Sequence, residues 1–173
     1  MRRILTAAAI VATLGTYGLA SAQLSDKLDT SPNNITIRGG IAFPADSSLS
    51  NVSNTFSNIG VEYLFNDSLL KGGETYLSVD AFFNNFNNVV AWPVMVNQRF
   101  FTGSNPQGRR NYFFIGVGYS FVNITQSGGA VGARAGIGTE LGPNIIAEFA
   151  GYVSDRVEGA RANAVTFNIG YRF

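Results

Sequence analysis

The residues of this chain that could do chemistry are few, and they fall at alternate positions of otherwise apolar segments. Charged residues make up 13% of the 173 residues, against about a quarter in typical soluble domains. Charged side chains that point towards the inside of a fold must form ion pairs, because burying a charge without a partner has a large cost in free energy. Four basic and four acidic residues share the polar face of these segments: Arg38, Glu62, Asp80, Arg99, Arg134, Glu140, Glu148 and Arg172.

Two arrangements of these eight residues are open. They form either a charge-balanced ion-pair network that plugs an enclosed lumen, or the lining of a narrow wet pore. Small barrels have interiors that side chains fill, which favours the plug.

Residues for enzymatic or metal chemistry are scarce. The chain has no histidine and no cysteine, so the usual general base, the commonest metal ligand and all disulfides are missing. Glu140 and Glu148 are available for acid/base work, but pairing of each with an arginine is the simpler interpretation. The glycines of 128–132 lack the Lys-Ser/Thr ending of a phosphate loop. We therefore expect no enzyme, no metal and no cofactor.

The amino terminus has the organisation of an export signal. Arg2 and Arg3 precede an apolar run over 4–19, and 20–22 reads Ala-Ser-Ala, which predicts cleavage between Ala22 and Gln23. An uncleaved anchor is the alternative, although the run is short for a spanning helix. Loss of this segment lowers the formal net charge from +1 to about −1, which argues against nucleic-acid binding.

The rest of the chain divides into a polar lead-in and a long alternating region. We expect a signal peptide over 1–22, a flexible periplasmic segment over 23–33 and one domain over 34–173. Within that domain, period-two alternation recurs in eight segments separated by short Gly, Asn, Ser and Pro clusters. The segments are 35–43, 59–65, 77–83, 89–101, 113–121, 131–138, 145–153 and 164–173.

Short connections indicate antiparallel neighbours, and an even strand number places both ends of the domain on one side. Two features do not fit a regular alternation of apolar and polar residues. Pro93 cannot donate to a strand ladder, which predicts a bulge or kink near the outer rim. Phe82 and Phe114 lie on the polar face and need space inside.

The composition of the two faces decides which one looks outwards. The polar face consists mainly of Gly, Ala, Ser, Thr and Asn, which suits the tight interior of an eight-stranded barrel. The other face is rich in Phe, Tyr, Val and Ile, and its aromatic residues near segment ends suit interfacial girdles. These are Tyr63, Phe65, Phe83, Trp92, Tyr119, Phe121, Tyr171 and Phe173. The sequence predicts an all-β, closed, antiparallel, eight-stranded transmembrane up-and-down β-barrel.

The last segment carries a family resemblance. Phe167, Ile169, Tyr171 and Phe173 alternate up to a final Phe, which resembles the C-terminal assembly signal of bacterial outer-membrane proteins. With the export signal and the eight segments, the chain resembles the OmpA/OmpX-like small outer-membrane barrels. That resemblance implies insertion by the barrel-assembly machinery into the outer membrane, and it implies no single function.

The expected function is that of a non-enzymatic integral outer-membrane protein, surrounded by lipid, which supports envelope structure or passes small solutes weakly. A binding or adhesion module that uses its outer loops is one alternative. Passage of a small apolar ligand through a side opening near Pro93 is another. Arg109 and Arg110 are expected in a solvated periplasmic turn, where anionic head groups are within reach.

Overall fold

The computed structural model describes residues 34–85, 88–104, 109–123, 127–156 and 161–173. The predicted signal peptide, its cleavage site and the lead-in over 23–33 lie outside this part of the chain. Among the described residues, no helix is both long and apolar enough to cross a membrane. The elements are β1 (Ile35–Pro44), α1 (Ser47–Ser50), β2 (Phe56–Leu64), β3 (Gly73–Asn85), β4 (Asn88–Ser104), β5 (Arg110–Asn123), β6 (Ser127–Glu140), β7 (Ile145–Ser154) and β8 (Ala164–Arg172).

The eight strands form one closed antiparallel barrel. Each strand pairs with its neighbours in the chain, and β1 closes the circle with β8 through pairs such as Gly39↔Ile169. Closure leaves none of the eight described strands with a free edge. The predicted up-and-down topology and strand number are confirmed.

The two faces of the wall are inverted relative to a water-soluble barrel. Val117 and Val131, on the outer face, are each 67% exposed, whereas Thr166 and Asn168, on the inner face, are buried. The period of two therefore sends large apolar side chains outwards and polar ones inwards. This distribution defines a transmembrane type of barrel.

The barrel has two distinct ends. We call the end that holds Ile35 and Arg172 the terminal rim, and the end where β1 passes to β2 and β7 passes to β8 the distal rim. The helix α1 lies in the first connection of the distal rim. Hydrogen bonds from the side chain and the backbone N–H of Ser48 lower the pKa of the N-cap residue Asp46 from its usual value.

The wall departs from regular pairing between β3 and β4. The ladder runs from Gly73↔Phe100 to Val79↔Val94 and resumes at Phe82↔Ala91, so the described stretch lacks the pairs opposite Trp92 and Pro93. The missing N–H of proline accounts for part of this gap. The register shift itself lies beside Phe83, closer to the distal rim than Pro93.

This shift corrects two predictions. Val90, which the alternation of the segment 89–101 predicts on the outer face with Trp92 and Val94, belongs with Ala91 to the buried interior cluster, because a bulge breaks the alternation there. Phe83, expected in an interfacial girdle, is only 6% exposed. It lies between the two register shifts of β3.

Two adjacent glycines of β1 give a matched test of the inner and outer faces. A Cβ at Gly40 would collide with the backbone oxygen of Phe167, whereas a Cβ at Gly39 would meet its nearest atom, the Asn58 oxygen, at 3.9 Å. We expect Gly40→Ala to lower the free energy of unfolding by about 1–3 kcal/mol or more through overpacking. Gly39→Ala should leave it unchanged or slightly raised. Urea unfolding of both variants in lipid vesicles checks this, and equal losses would contradict it.

Candidate functional site in the barrel lumen

Six charged side chains from six strands meet inside the barrel. We call this set the lumen network: Arg38 (β1), Glu62 (β2), Asp80 (β3), Arg99 (β4), Arg134 (β6) and Glu148 (β7). Each is at most 2% exposed. The strand register of the closed barrel places these six side chains at a similar height along the barrel axis, where they are in contact. Glycine makes room for them, since a Cβ at Gly60 would collide with the Asp80 carboxylate.

The lumen network is a set of shared ion pairs. Arg38 contacts Glu62 and Asp80, each at 2.8 Å between nitrogen and oxygen, and it also contacts Glu148. Arg99 contacts Glu62 at 3.0 Å and Glu148 at 3.4 Å. Arg134 contacts Glu148 at 2.9 Å. Three positive and three negative side chains thus compensate one another, and Glu148 touches all three arginines.

Aromatic side chains complete the surroundings of the charges. The Tyr112 hydroxyl donates to Glu148 at 3.0 Å, and the Tyr152 hydroxyl donates to Asp80 at 2.8 Å. The Arg99 guanidinium lies 4.5 Å from the ring centres of both Tyr76 and Tyr112. These cation–π contacts and hydrogen bonds offset part of the cost of removing the charges from water.

Sequence reasoning did not single out these three tyrosines, although a signal was present. Tyr112 shares the parity of Phe114, and Tyr152 shares that of Glu148, so strict alternation places both inside. Phe82 and Phe114 do lie inside: Phe82 packs edge-on against Tyr152 at 5.4 Å between ring centres, and Arg134 lies 4.4 Å from the Phe114 ring centre.

Two residues predicted for the same network lie elsewhere. Glu140 and Arg172 are the last residues of β6 and β8, and they sit at the terminal rim with side chains 14% and 11% exposed. Glu140 pairs with Arg110 at 2.7 Å and with Arg172 at 3.7 Å. The alternation of side chains along the strands predicted the inner face for both residues correctly, but it could not predict their height along the barrel axis.

The terminal rim has its own ion pairs, which we call the rim cluster: Glu74, Arg110, Glu140 and Arg172. Arg110, predicted in a solvated turn, begins β5 and contacts Glu74 at 3.5 Å as well as Glu140. Glu74, which the sequence did not single out, also contacts Arg99 at 3.5 Å. It therefore links the rim cluster to the lumen network. Arg109 is exposed and precedes β5.

The interior near the distal rim holds a hydrophobic cluster. Its members there include Ala42 near the end of β1, Phe56 at the start of β2, Val122 near the end of β5 and Ala164 at the start of β8. Leu49 of α1 is fully buried in the same cluster. The charged side chains of the lumen therefore give way towards the distal rim to a mainly apolar interior, in which a few uncharged polar residues such as Asn58 and Thr166 are also buried.

The aromatic residues of the outer face lie in two groups. Tyr63, Phe65, Tyr171 and Phe173 are 40–48% exposed and lie at the terminal rim. Tyr119, 43% exposed, together with Trp92 and Phe121, lies nearer the distal rim, and the rings of Trp92 and Phe121 stack at 4.5 Å. Phe167 and Ile169, predicted in the assembly signal, are also on the outer face, 45% and 52% exposed.

The chemistry of the site is electrostatic. Within the described ranges, no group of three or more His, Cys, Asp or Glu side chains is placed to hold a metal ion. The carboxylates of the lumen network are all held by arginines. Such an arrangement fixes the strands relative to one another and fills the space between them.

No family model and no curated protein matches the chain. Among solved structures, the N-terminal β-barrel domain of Pseudomonas aeruginosa OprF is similar with a TM-score of 0.49 and 14% identity, covering 80% of this chain and 96% of that one. The Yersinia pestis outer membrane protein Ail has a TM-score of 0.47 and 14% identity, covering 80% and 98%. The predicted resemblance in fold is confirmed by the chain's own closed eight-stranded barrel.

Proposed function

We propose that this chain is a non-enzymatic integral protein of the bacterial outer membrane, with a lumen closed by the lumen network, and that it serves the structure of the envelope. The observation that carries the proposal is the inverted wall: six charged side chains are buried inside while large apolar side chains cover the outside. In water this distribution would be very costly, and in lipid it is the favourable one.

Export to the outer membrane is supported by two parts of the sequence. The amino-terminal segment has the pattern of a signal peptide, and the segment from Phe167 to Phe173 resembles the C-terminal assembly signal of bacterial outer-membrane proteins. Closure of the barrel satisfies the backbone groups of the strands, which hydrocarbon requires. Outer-membrane lipid and, during insertion, the assembly machinery are the proposed partners.

Subcellular fractionation with gel migration before and after boiling tests this location. We expect the chain in the outer-membrane fraction and a migration shift that appears only on boiling, because a closed barrel resists detergent. A chain that stays monomeric in buffer without detergent would overturn the proposal.

A closed lumen is supported by the charge balance of the lumen network and by the apolar layer at the distal end. Ions would have to separate three paired arginines and then cross apolar side chains. We infer that any permeation of small solutes is weak and needs rearrangement of both layers.

Bilayer conductance tests the plug. We expect the parent protein to show no steady channel steps. Arg134→Ala should produce brief openings, because it removes one of the three arginine partners of Glu148 and empties the space beside Phe114. Arg110→Ala, in the rim cluster, is the control and should stay silent. Steady conductance by the parent, or equal openings in both variants, would contradict the plug.

A side opening is the second candidate function, since the β3–β4 ladder is interrupted opposite Pro93. Met95 and Ala91 occupy the interior there, so they would have to move for a small apolar ligand to pass. Protection or uptake of a lipid-soluble compound that depends on an intact Pro93 would support it. Adhesion through the outer loops is a third use, which cell-binding assays test.

A further inference from the structure

One side chain of the distal interior comes from a loop and not from the wall. Leu49, in the helix α1, is fully buried in the same cluster as Phe56, Phe82 and Met95. A side chain carried by a connection can leave without breaking the strand ladder, because local openings involve the parts of a fold with few fixed contacts.

The barrel wall contributes several small residues to this cluster. Ala42, Ala91, Ala150 and Ala164 are all 0–1% exposed and belong to the cluster. Their side chains leave a space in the distal lumen that larger groups must fill, since protein interiors are close-packed. Leu49 contributes one of these groups.

The loop that carries Leu49 has the composition of a lid. Residues 45–55 are mostly Ser, Asn, Asp and Thr, and Val52, three residues after Leu49, is the other apolar residue that packs against the cluster. The outer surface of the loop is polar, with Ser47, Asn51 and Asn54 exposed. Leu49 and Val52 are therefore the two side chains through which this loop packs against the apolar cluster, and the polar residues of the loop are suited to contact with water.

One long-range hydrogen bond and several local ones hold the lid. The Ala45 N–H donates to the Asn163 carbonyl at 2.8 Å, and the Ser48 N–H donates to the carboxylate of the N-cap residue Asp46 at 2.9 Å. Asn163 is fixed in turn, since its side chain accepts from the Ser154 N–H at 2.9 Å. A hinge at Ala45 would lift Leu49 away while Asn163 stays in place.

We propose that the distal lumen is a binding site for a short hydrocarbon group, of the size of a leucine side chain, and that Leu49 occupies this site when no ligand is bound. The cluster that contains Leu49 is apolar, and the hydroxyl of its member Tyr152 is already bonded to Asp80. The site therefore recognises shape and apolarity, and a polar head on the ligand would face the distal water.

The probe for the test is 3-methylbutan-1-ol, which carries the branched end of a leucine side chain. With leucine methyl groups labelled, the folded barrel in detergent micelles is titrated and followed by NMR. We expect the Leu49 methyl signals to move saturably towards solvent-exposed values. Leu77, half-buried in β3, reports simple partition of the alcohol into the micelle and should shift only linearly.

Two variants make the result decisive. Leu49→Ala empties the site, and we expect it to bind the probe about tenfold more tightly, because an occluded site lowers apparent affinity. A disulfide between Ala45→Cys and Asn163→Cys, which continue the Pro44↔Ala164 register, should abolish binding when oxidised and restore it when reduced. The chain has no other cysteine, and migration before and after boiling verifies folding.

The proposal is overturned if the Leu49 signals follow Leu77 throughout the titration. It is also overturned if Leu49→Ala, shown to be folded, binds the probe no more tightly than the parent does. Binding that is equal in the oxidised and reduced disulfide variants would exclude the lid.

Discussion

Glu148→Gln is expected to lower the free energy of unfolding by about 3–5 kcal/mol, the cost of leaving buried charge without its partner. The substitution keeps the shape of the side chain and removes one negative charge. Three buried arginines then share two carboxylates, those of Glu62 and Asp80. Bulk solvent cannot compensate, since Arg38, Arg99 and Arg134 are at most 2% exposed.

Urea unfolding in phospholipid vesicles measures this effect. Trp92 is the single tryptophan of the chain and stacks on Phe121 at the outer face, so its fluorescence reports loss of the barrel wall. Glu140→Gln is the matched control: its carboxylate pairs with Arg110, whose side chain is 38% exposed. Partly solvated pairs contribute only about 0–1 kcal/mol.

A compensating substitution separates charge balance from packing. Adding Arg134→Met to Glu148→Gln restores two positive against two negative groups, and we expect it to recover more than half of the lost stability. If Glu148→Gln costs no more than Glu140→Gln, the lumen is wet and its charges are screened. That result would also remove the basis for a plug.

Val117→Arg is the second substitution with a large expected effect. Val117 is 67% exposed in the middle of β5, paired with Val96 and Ala133. An arginine on the lipid face at the bilayer midplane costs about 2–4 kcal/mol. In a water-soluble barrel the same substitution at an exposed site would stay within about 0.5 kcal/mol.

The control for Val117→Arg is Leu69→Arg. Leu69 is 74% exposed in the connection between β2 and β3 at the terminal rim, so its arginine reaches water or lipid head groups. We expect little change in the free energy of unfolding for this variant in vesicles. Equal losses for the two variants would show that the outer wall does not contact hydrocarbon.

The sequence by itself determined the strands and their faces. In β8, every residue from Ala164 to Arg172 lies on the predicted side of the wall, because a strand alternates its side chains with a period of two whatever it pairs with. The same rule placed Phe114 inside and Val117 outside. Eight such segments with short connections left an antiparallel barrel as the natural architecture, and the apolar composition of one face predicted its outward direction.

Only the tertiary structure decided heights, bulges and the contribution of loops. Parity assigns a face but no position along the barrel axis, so it could not separate Glu140, at the terminal rim, from Glu148 in the lumen network. A bulge changes parity locally, which is why Val90 turned inwards. Leu49 belongs to no strand, and its burial depends on how a connection folds over a lumen formed by residues far away in sequence. Local alternation records the direction of each side chain, whereas these three features depend on the register of neighbouring strands.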